Sequence, residues 1–226
     1  MEISQKLTES ELDALKEIGS IGAGHAATAL SQLADKKIMI TVPEIGVRSL
    51  TEIPGLFGAP EDLVAAIYMK LMGDVVGRSM LLFPRDSALD LANMLMKGIS
   101  EPTTFLSEMD YSALKEAGNI LTGSFVNALA EFLEMTIMPT VPQLAYDMVG
   151  PILATMAAEF GEETDYLFCL QTEFSESTTE ICGQFLVIFD NRSLTVVLNK
   201  VKAKVEKSQK MYMSGGTDEG KDLSSG

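Results

Sequence analysis

Two long stretches of the chain carry apolar residues at helical spacing. The first follows Thr8, which fits a capping box with Glu11, so the pattern predicts a helix over about 8–34; the second predicts a helix over about 107–133. Glycines interrupt both helices, and each costs about 1 kcal/mol relative to alanine. We therefore expect another backbone to approach both helices closely. The glycines concerned are Gly19, Gly22, Gly24, Gly118 and Gly123.

After each helix the pattern changes to short apolar runs bounded by proline, glycine and polar residues, which predicts strands. In the first half the predicted elements are strands over 37–42, 44–50, 63–72 and 76–83 and a helix from 87 to about 98. In the second half they are a partly extended stretch over 144–158, strands over 165–173 and 179–189, and a helix over 193–205. Pro43 is expected to end the first strand, because proline donates no ladder hydrogen bond.

The two halves repeat each other. The sequence ALKEIGSI from Ala14 returns ninety-nine positions later as ALKEAGNI, and IMITVP from Ile38 returns as IMPTVP. In the hairpins the offset is 106, which places Gly77 on Gly183 and Phe83 on Phe189. We predict an α+β fold in which pseudo-two-fold duplicated halves share one mainly antiparallel sheet, with the two long helices packed on it.

One domain is expected over 1–213, built of repeats over about 8–100 and 107–205, and the polar tail 214–226 is expected to be disordered. The chain has 226 residues, of which 46% are hydrophobic, enough to bury one sizeable core. We expect a monomer. Four lysines near the end of the last predicted helix are interpreted as favourable charges for its dipole. They are Lys200, Lys202, Lys204 and Lys207.

Composition excludes several classes of function. Asp and Glu outnumber Lys and Arg by 32 to 17, which argues against nucleic acid as a partner. No apolar run is long enough to span a membrane, and the first residues do not resemble a signal peptide. Cys169 and Cys182 are interpreted as reduced core residues of a cytoplasmic protein, which could face each other across neighbouring strands. Because His25 is the only histidine, no metal site or catalytic triad is predicted.

The candidate site lies on the two long helices. Glu116 and Asn119 are three residues apart, so they share one helix face, and the repeat places Glu17 and Ser20 at the same positions of the first helix. An acid and a polar residue repeated on one face are hard to explain by packing alone. Proline follows at the same distance in both copies, as Pro43 and Pro142.

This spacing resembles that of the CheC/CheX/FliY group of chemotaxis phosphatases, in which Asp or Ser, Glu, Asn and a distant Pro recur. The residues that fit are Ser112, Glu116, Asn119 and Pro142 in one copy and Asp13, Glu17, Ser20 and Pro43 in the other. Serine replaces asparagine at position 20. The resemblance covers about 8–205, and the duplicated motif and the chain length are most similar to the CheC-type members.

The resemblance implies hydrolysis of the phosphoaspartate of the response regulator CheY. Asn119 is then the residue that orients the attacking water, because a carboxamide holds water well but is a weak base. Glu116 is expected to dock a lysine of the regulator, and Glu17 with Ser20 to form a weaker second site. No cofactor of the chain's own is expected, since Mg²⁺ arrives with the regulator. The alternative is a non-catalytic binding module for phosphorylated CheY or for the receptor deamidase CheD.

Overall fold

The computed structural model describes residues 7–49, 59–96, 104–160, 166–176 and 179–215. Within these ranges the chain forms five helices and seven strands. The elements of the first half are α1 (Glu9–Ala34), β1 (Met39–Ser49), β2 (Leu63–Gly73), β3 (Gly77–Pro84) and α2 (Arg85–Met96). Those of the second half are α3 (Glu108–Leu133), β4 (Ile137–Pro139), β5 (Gln143–Met148), α4 (Val149–Phe160), β6 (Tyr166–Glu176), β7 (Thr179–Phe189) and α5 (Asn191–Gly215).

The ends of α1 and α3 repeat each other in detail. The Thr8 N–H donates to the Glu11 carboxylate over 2.6 Å, and the Ser107 N–H donates to the Asp110 carboxylate over 2.8 Å, so both helices begin with a capping box. Both also end at a residue with left-handed backbone, namely Asp35 (φ 49°) and Glu134 (φ 51°). The predicted helix limits are confirmed because these capping signals are local.

The strands form one antiparallel sheet in the order β1, β6, β7, β3, β2 and β4, and β5 pairs with another part of β2. Each half therefore contributes edge strands to the other: β1 pairs with β6, and β4 and β5 pair with β2. The centre of the sheet is the β3–β7 pair, where Met80 lies opposite Leu186. These residues are equivalent in the repeat at an offset of 106, so the local two-fold axis passes between them. The predicted α+β fold is confirmed.

Repeated glycines at this centre accommodate repeated phenylalanines. A Cβ on Gly183 would lie 2.6 Å from a ring carbon of Phe83, and one on Gly77 would lie 2.8 Å from a ring carbon of Phe189. Both rings are fully buried. In each contact the glycine comes from one half of the chain and the phenylalanine from the other. This explains why both residue types recur at the same offset in the repeat.

The sheet is covered on both faces. Its residues alternate along β2, so that Ala65 and Ile67 join the larger core beneath α1, α2, α3 and α5, while Val64 and Ala66 join a smaller core beneath α4. The two long helices therefore lie in the same layer. All of the predicted site residues belong to this layer.

Strand β1 differs from the prediction. It continues through Pro43 as one strand, with a change of register between Thr41 and Glu44. Because β1 is the edge strand of the described sheet and pairs with β6 alone, proline at a bulge costs little there. In the second half the additional Pro139 shortens β4 to three residues, and β5 begins after Pro142.

Two other predictions need correction. The stretch 144–158 is extended up to Met148, but the remainder is helix α4, whose buried residues Val149, Ile152 and Met156 recur at helical spacing. Helix α5 runs to Gly215, ten residues beyond its predicted end. The tail predicted to be disordered lies outside the described residues from 216 onward. The proposed domain limits stay a prediction.

The cysteines do not face each other. Cys169 pairs with Leu186, whereas Cys182 pairs with Glu173, four positions away along β6. Cys182 is exposed, so its assignment to the core was wrong. The alternation of the strand explains this result, because its neighbours Ile181 and Gly183 are buried on the opposite face.

The helix glycines divide into two kinds. A Cβ on Gly22 would lie 2.7 Å from the Phe125 ring, and one on Gly118 would lie 2.5 Å from Ile67, so these glycines allow the predicted close approach. Gly24 and Gly123 have no atom within 4 Å of the same position. For them the packing explanation is wrong.

This difference predicts opposite effects of one substitution on one helix. Gly118→Ala is expected to destabilise the protein by about 1–3 kcal/mol, because the added methyl group clashes with a buried side chain. Gly123→Ala is expected to stabilise it by about 0.5–1 kcal/mol through helix propensity. Urea unfolding of both variants is the measurement. Equal shifts of the same sign would contradict the packing described here.

Candidate functional site

Helices α1 and α3 lie side by side and run in opposite directions. Gly22 of α1 contacts Phe125 of α3, whereas Leu33, eleven residues further along α1, lines a groove together with Met109 and Glu116, which precede Phe125. Advancing along α1 therefore moves towards the start of α3. The close contact at Gly22 lies near the middle of both helices.

On α3 the candidate residues face outward. Glu116 and Asn119 are exposed, while the intervening Ala117 and Gly118 are buried against the sheet. Within the described part of the chain, the side chains of Glu116 and Asn119 take part in no hydrogen bond or ion pair. A carboxylate and a carboxamide one helical turn apart are thus available to a partner.

The helix beneath this face is firmly held. The Lys200 ammonium group donates to the carbonyls of Leu133 (3.0 Å) and Glu134 (3.1 Å), and so caps the C-terminus of α3. Lys204 forms an ion pair with Glu134, and its hydrogen bond and charge lower the pKa of that carboxyl. Lys200 and Lys204 therefore serve the dipole of α3 rather than that of α5, in whose middle they lie.

An apolar groove of about 450 Å³ adjoins Glu116. Its walls come from α1, α2 and α3, and its residues are Leu33, Leu95, Met96, Glu108, Met109, Ser112, Ala113 and Glu116. Leu33 and Met109 are 47% and 56% exposed, which leaves apolar surface beside the carboxylate. Sequence analysis missed this groove, because its walls come from three helices whose residues lie far apart in the sequence.

The equivalent face of α1 offers fewer free polar groups to a partner. Glu17 and Ser20 are exposed, but the Ser20 hydroxyl donates to the Lys16 carbonyl over 2.9 Å. The single donor of serine is therefore used within the helix, and the side chain is shorter than that of asparagine. Asp13 lies 3.9 Å from Lys16 in an exposed ion pair.

The two prolines of the repeated motif have different surroundings. Pro142 is partly buried and separates β4 from β5, next to Thr140, whose N–H donates to the Lys70 carbonyl over 2.9 Å. Pro43 lies within β1.

The described residues contain no cluster of three or more His, Cys, Asp or Glu side chains that could hold a metal ion. In the same part of the chain, no helix has the length and apolar character needed to cross a membrane.

Comparisons with known proteins agree with the repeat. The sequence matches the CheC-like family over residues 11–47 and 109–146, which contain both helix faces. It is 32% identical over 180 residues to the CheY-P phosphatase CheC of Bacillus subtilis, covering 79% of this chain and 86% of that protein. It is also 32% identical over 141 residues to the flagellar motor switch phosphatase FliY of Bacillus subtilis, covering 61% of this chain and 36% of FliY.

The fold is similar to a solved structure as well. The crystal structure of FliY from Thermotoga maritima matches with a TM-score of 0.70 at 22% identity, covering 88% of this chain and 98% of that chain. The sequence match to CheC extends over most of both proteins, and the family match contains each copy of the duplicated helix face. The chain therefore belongs to the CheC-like family.

Proposed function

We propose that this chain is a hydrolase that removes the phosphoryl group from the phosphoaspartate of the chemotaxis response regulator CheY. The observation that carries the proposal is the pair formed by Glu116 and Asn119. Both side chains are exposed and unpaired within the described residues, on a helix whose opposite face is packed into the core. The name of Bacillus subtilis CheC supports this reaction and this substrate, and the name of Bacillus subtilis FliY supports a phosphatase.

In the proposed mechanism Asn119 positions a water molecule. Its amide can donate to and accept from the water at once, which fixes the water in line with the phosphorus atom. The water oxygen bonds to phosphorus as the acyl phosphate bond breaks, and the products are aspartate and inorganic phosphate. Because a carboxamide is too weak a base to remove the proton, its contribution is orientation rather than acid–base catalysis.

Glu116 is proposed to dock the regulator. A carboxylate one turn before Asn119 can pair with the regulator's lysine beside the phosphoaspartate, and so set the depth to which the amide enters. Mg²⁺ would arrive with the regulator and neutralise the phosphoryl charge. The reaction is proposed to take place in the cytoplasm, where this chain would act as a monomer.

The direct experiment is the release of inorganic phosphate from acetyl-phosphate-charged CheY with a small amount of this chain. Many phosphates released per chain would support the phosphatase. Protection of the phosphoaspartate at one chain per regulator would instead support the alternative, a binding module. The hydrogen bond within α1 that occupies the Ser20 hydroxyl favours this alternative at the first site. Binding of CheD, which the family resemblance implies, stays a proposal.

The two sites are expected to be unequal. Ser20→Ala should change the rate of phosphate release by less than about twofold, because the hydroxyl is engaged in its own helix. Asn119→Ala should cause a far larger loss. The decay rate of phosphorylated CheY is the measurement. Equal losses from both variants, or a greater loss from Ser20→Ala, would refute the ranking.

A further inference from the structure

The two candidate sites lie on one surface. The exposed residues Glu17, Ser20, Glu116 and Asn119 project from the side of the α1–α3 layer that faces away from the sheet. Both helices bury the opposite side in the same core. A partner that reaches one site therefore approaches the other from the same direction.

The sites are also close together. From the contact between Gly22 and Phe125, Ser20 lies two residues back along α1 and Asn119 six residues back along α3. Because the helices are antiparallel, these displacements add to about 12 Å at 1.5 Å per residue. With a lateral separation of about 8 Å, Ser20 and Asn119 are about 14 Å apart along the surface.

Glycine lies between the two sites on both helices. Gly24 and Gly123 lie at the same level, four residues after Ser20 and Asn119, and neither has an atom within 4 Å of where a Cβ would be. Glycine is unfavourable in a helix and serves no packing need here. At these two positions the helix surface is therefore low, so a partner can approach the backbone there.

A regulator domain is larger than this separation. A domain of about 100 residues has a radius of gyration of about 13 Å and hence a diameter of about 34 Å. A standard interface buries about 800 Å² on each partner, which corresponds to a disc about 32 Å across. A regulator centred on Asn119 would thus extend across Gly24 and Ser20.

We infer that the two sites are mutually exclusive, so that one regulator occupies this surface at a time and covers both helices whichever site it uses. This inference rests on the proposed function. Duplication would then give the chain two orientations in which it can engage one regulator rather than two independent catalytic centres. Gly24 and Gly123 form the floor that the regulator crosses in either orientation.

The first test is stoichiometry. CheY held in its phosphorylated form by Mg²⁺ and beryllofluoride is titrated into the wild-type chain and into Ser20→Asn, which completes the first motif. Both chains are expected to bind one regulator at saturation, and Ser20→Asn should raise the association constant by at most about twofold. Two regulators per chain in either case would overturn the inference.

The second test introduces a large side chain between the sites. Gly24→Trp leaves Glu116 and Asn119 intact and has open space for its side chain, so the melting temperature should not fall. It is expected to lower kcat/KM for phosphorylated CheY at least tenfold, through KM. Ala154→Trp, at an exposed position of α4 on the other face of the sheet, is the matched control and should leave kcat/KM unchanged.

The outcomes test mutual exclusion of the sites separately from the phosphatase function. Full activity of Gly24→Trp would overturn mutual exclusion while leaving the phosphatase proposal intact. If the wild-type chain neither bound phosphorylated CheY nor released phosphate from it, the proposed function itself would be refuted. One regulator per chain, together with a loss confined to Gly24→Trp, would establish a shared footprint.

Discussion

Replacing Asn119 with alanine is expected to lower the rate of CheY dephosphorylation by between about 30- and 1000-fold. This range corresponds to a loss of about 2–4 kcal/mol of transition-state stabilisation, part of what well-aligned reactants can contribute. Because the variant keeps Glu116, the decrease should fall on kcat, with little change in KM. Glu116→Ala should instead change mainly KM, with little change in kcat, because it removes the docking contact.

The measurement is phosphate release over a range of phosphorylated CheY concentrations. Asn199→Ala is a matched control, since Asn199 is an exposed asparagine on α5, and its neighbour Lys200 contacts the end of α3 at Leu133, fourteen residues beyond Asn119. Alanine is the better helix former, so neither variant should lose stability. A decrease of less than about threefold for Asn119→Ala would rule out a water-orienting amide at this position.

Truncation of Phe83 is expected to have the largest effect on stability. Its ring is fully buried, lies over Gly183 and contacts the Phe174 ring at a centroid distance of 5.5 Å. Phe83→Ala should therefore reduce the free energy of unfolding by about 3–5 kcal/mol, a large part of the 5–15 kcal/mol typical of folded proteins. The denaturant midpoint reports the change.

A second substitution distinguishes the contact between Phe83 and Gly183 from a general loss of buried apolar side chain. In the wild-type chain Gly183→Ala should be destabilising, because its Cβ would lie 2.6 Å from the Phe83 ring. In the Phe83→Ala background the same substitution meets a cavity and should cost much less. Additive effects of the two substitutions would contradict the contact. Phe105→Ala, at a side chain that is 80% exposed, is the control for truncation of an aromatic residue.

Several differences between prediction and structure have the same physical origin. Pro43 and Pro142 occupy equivalent positions, yet β1 continues through the first while β5 begins after the second. Whether proline breaks a strand depends on whether its missing donor faces a neighbouring strand. That neighbour, β6, begins more than one hundred residues after β1 ends. The charged group of Lys200 likewise finds its partners at the end of α3 rather than in its own helix.

The sequence by itself determined the limits of α1 and α3, the duplication and the outward face on which Glu116 and Asn119 lie. Capping and helical spacing act within about one turn, so residues adjacent in sequence are sufficient to specify them. Only the tertiary structure decided that α1 and α3 are antiparallel, that the halves exchange edge strands, and that the two candidate sites share one surface. These features arise from contacts such as that of Gly22 with Phe125, between residues about one hundred positions apart. The spacing of residues along one helix carries no information about the direction in which the two helices pack.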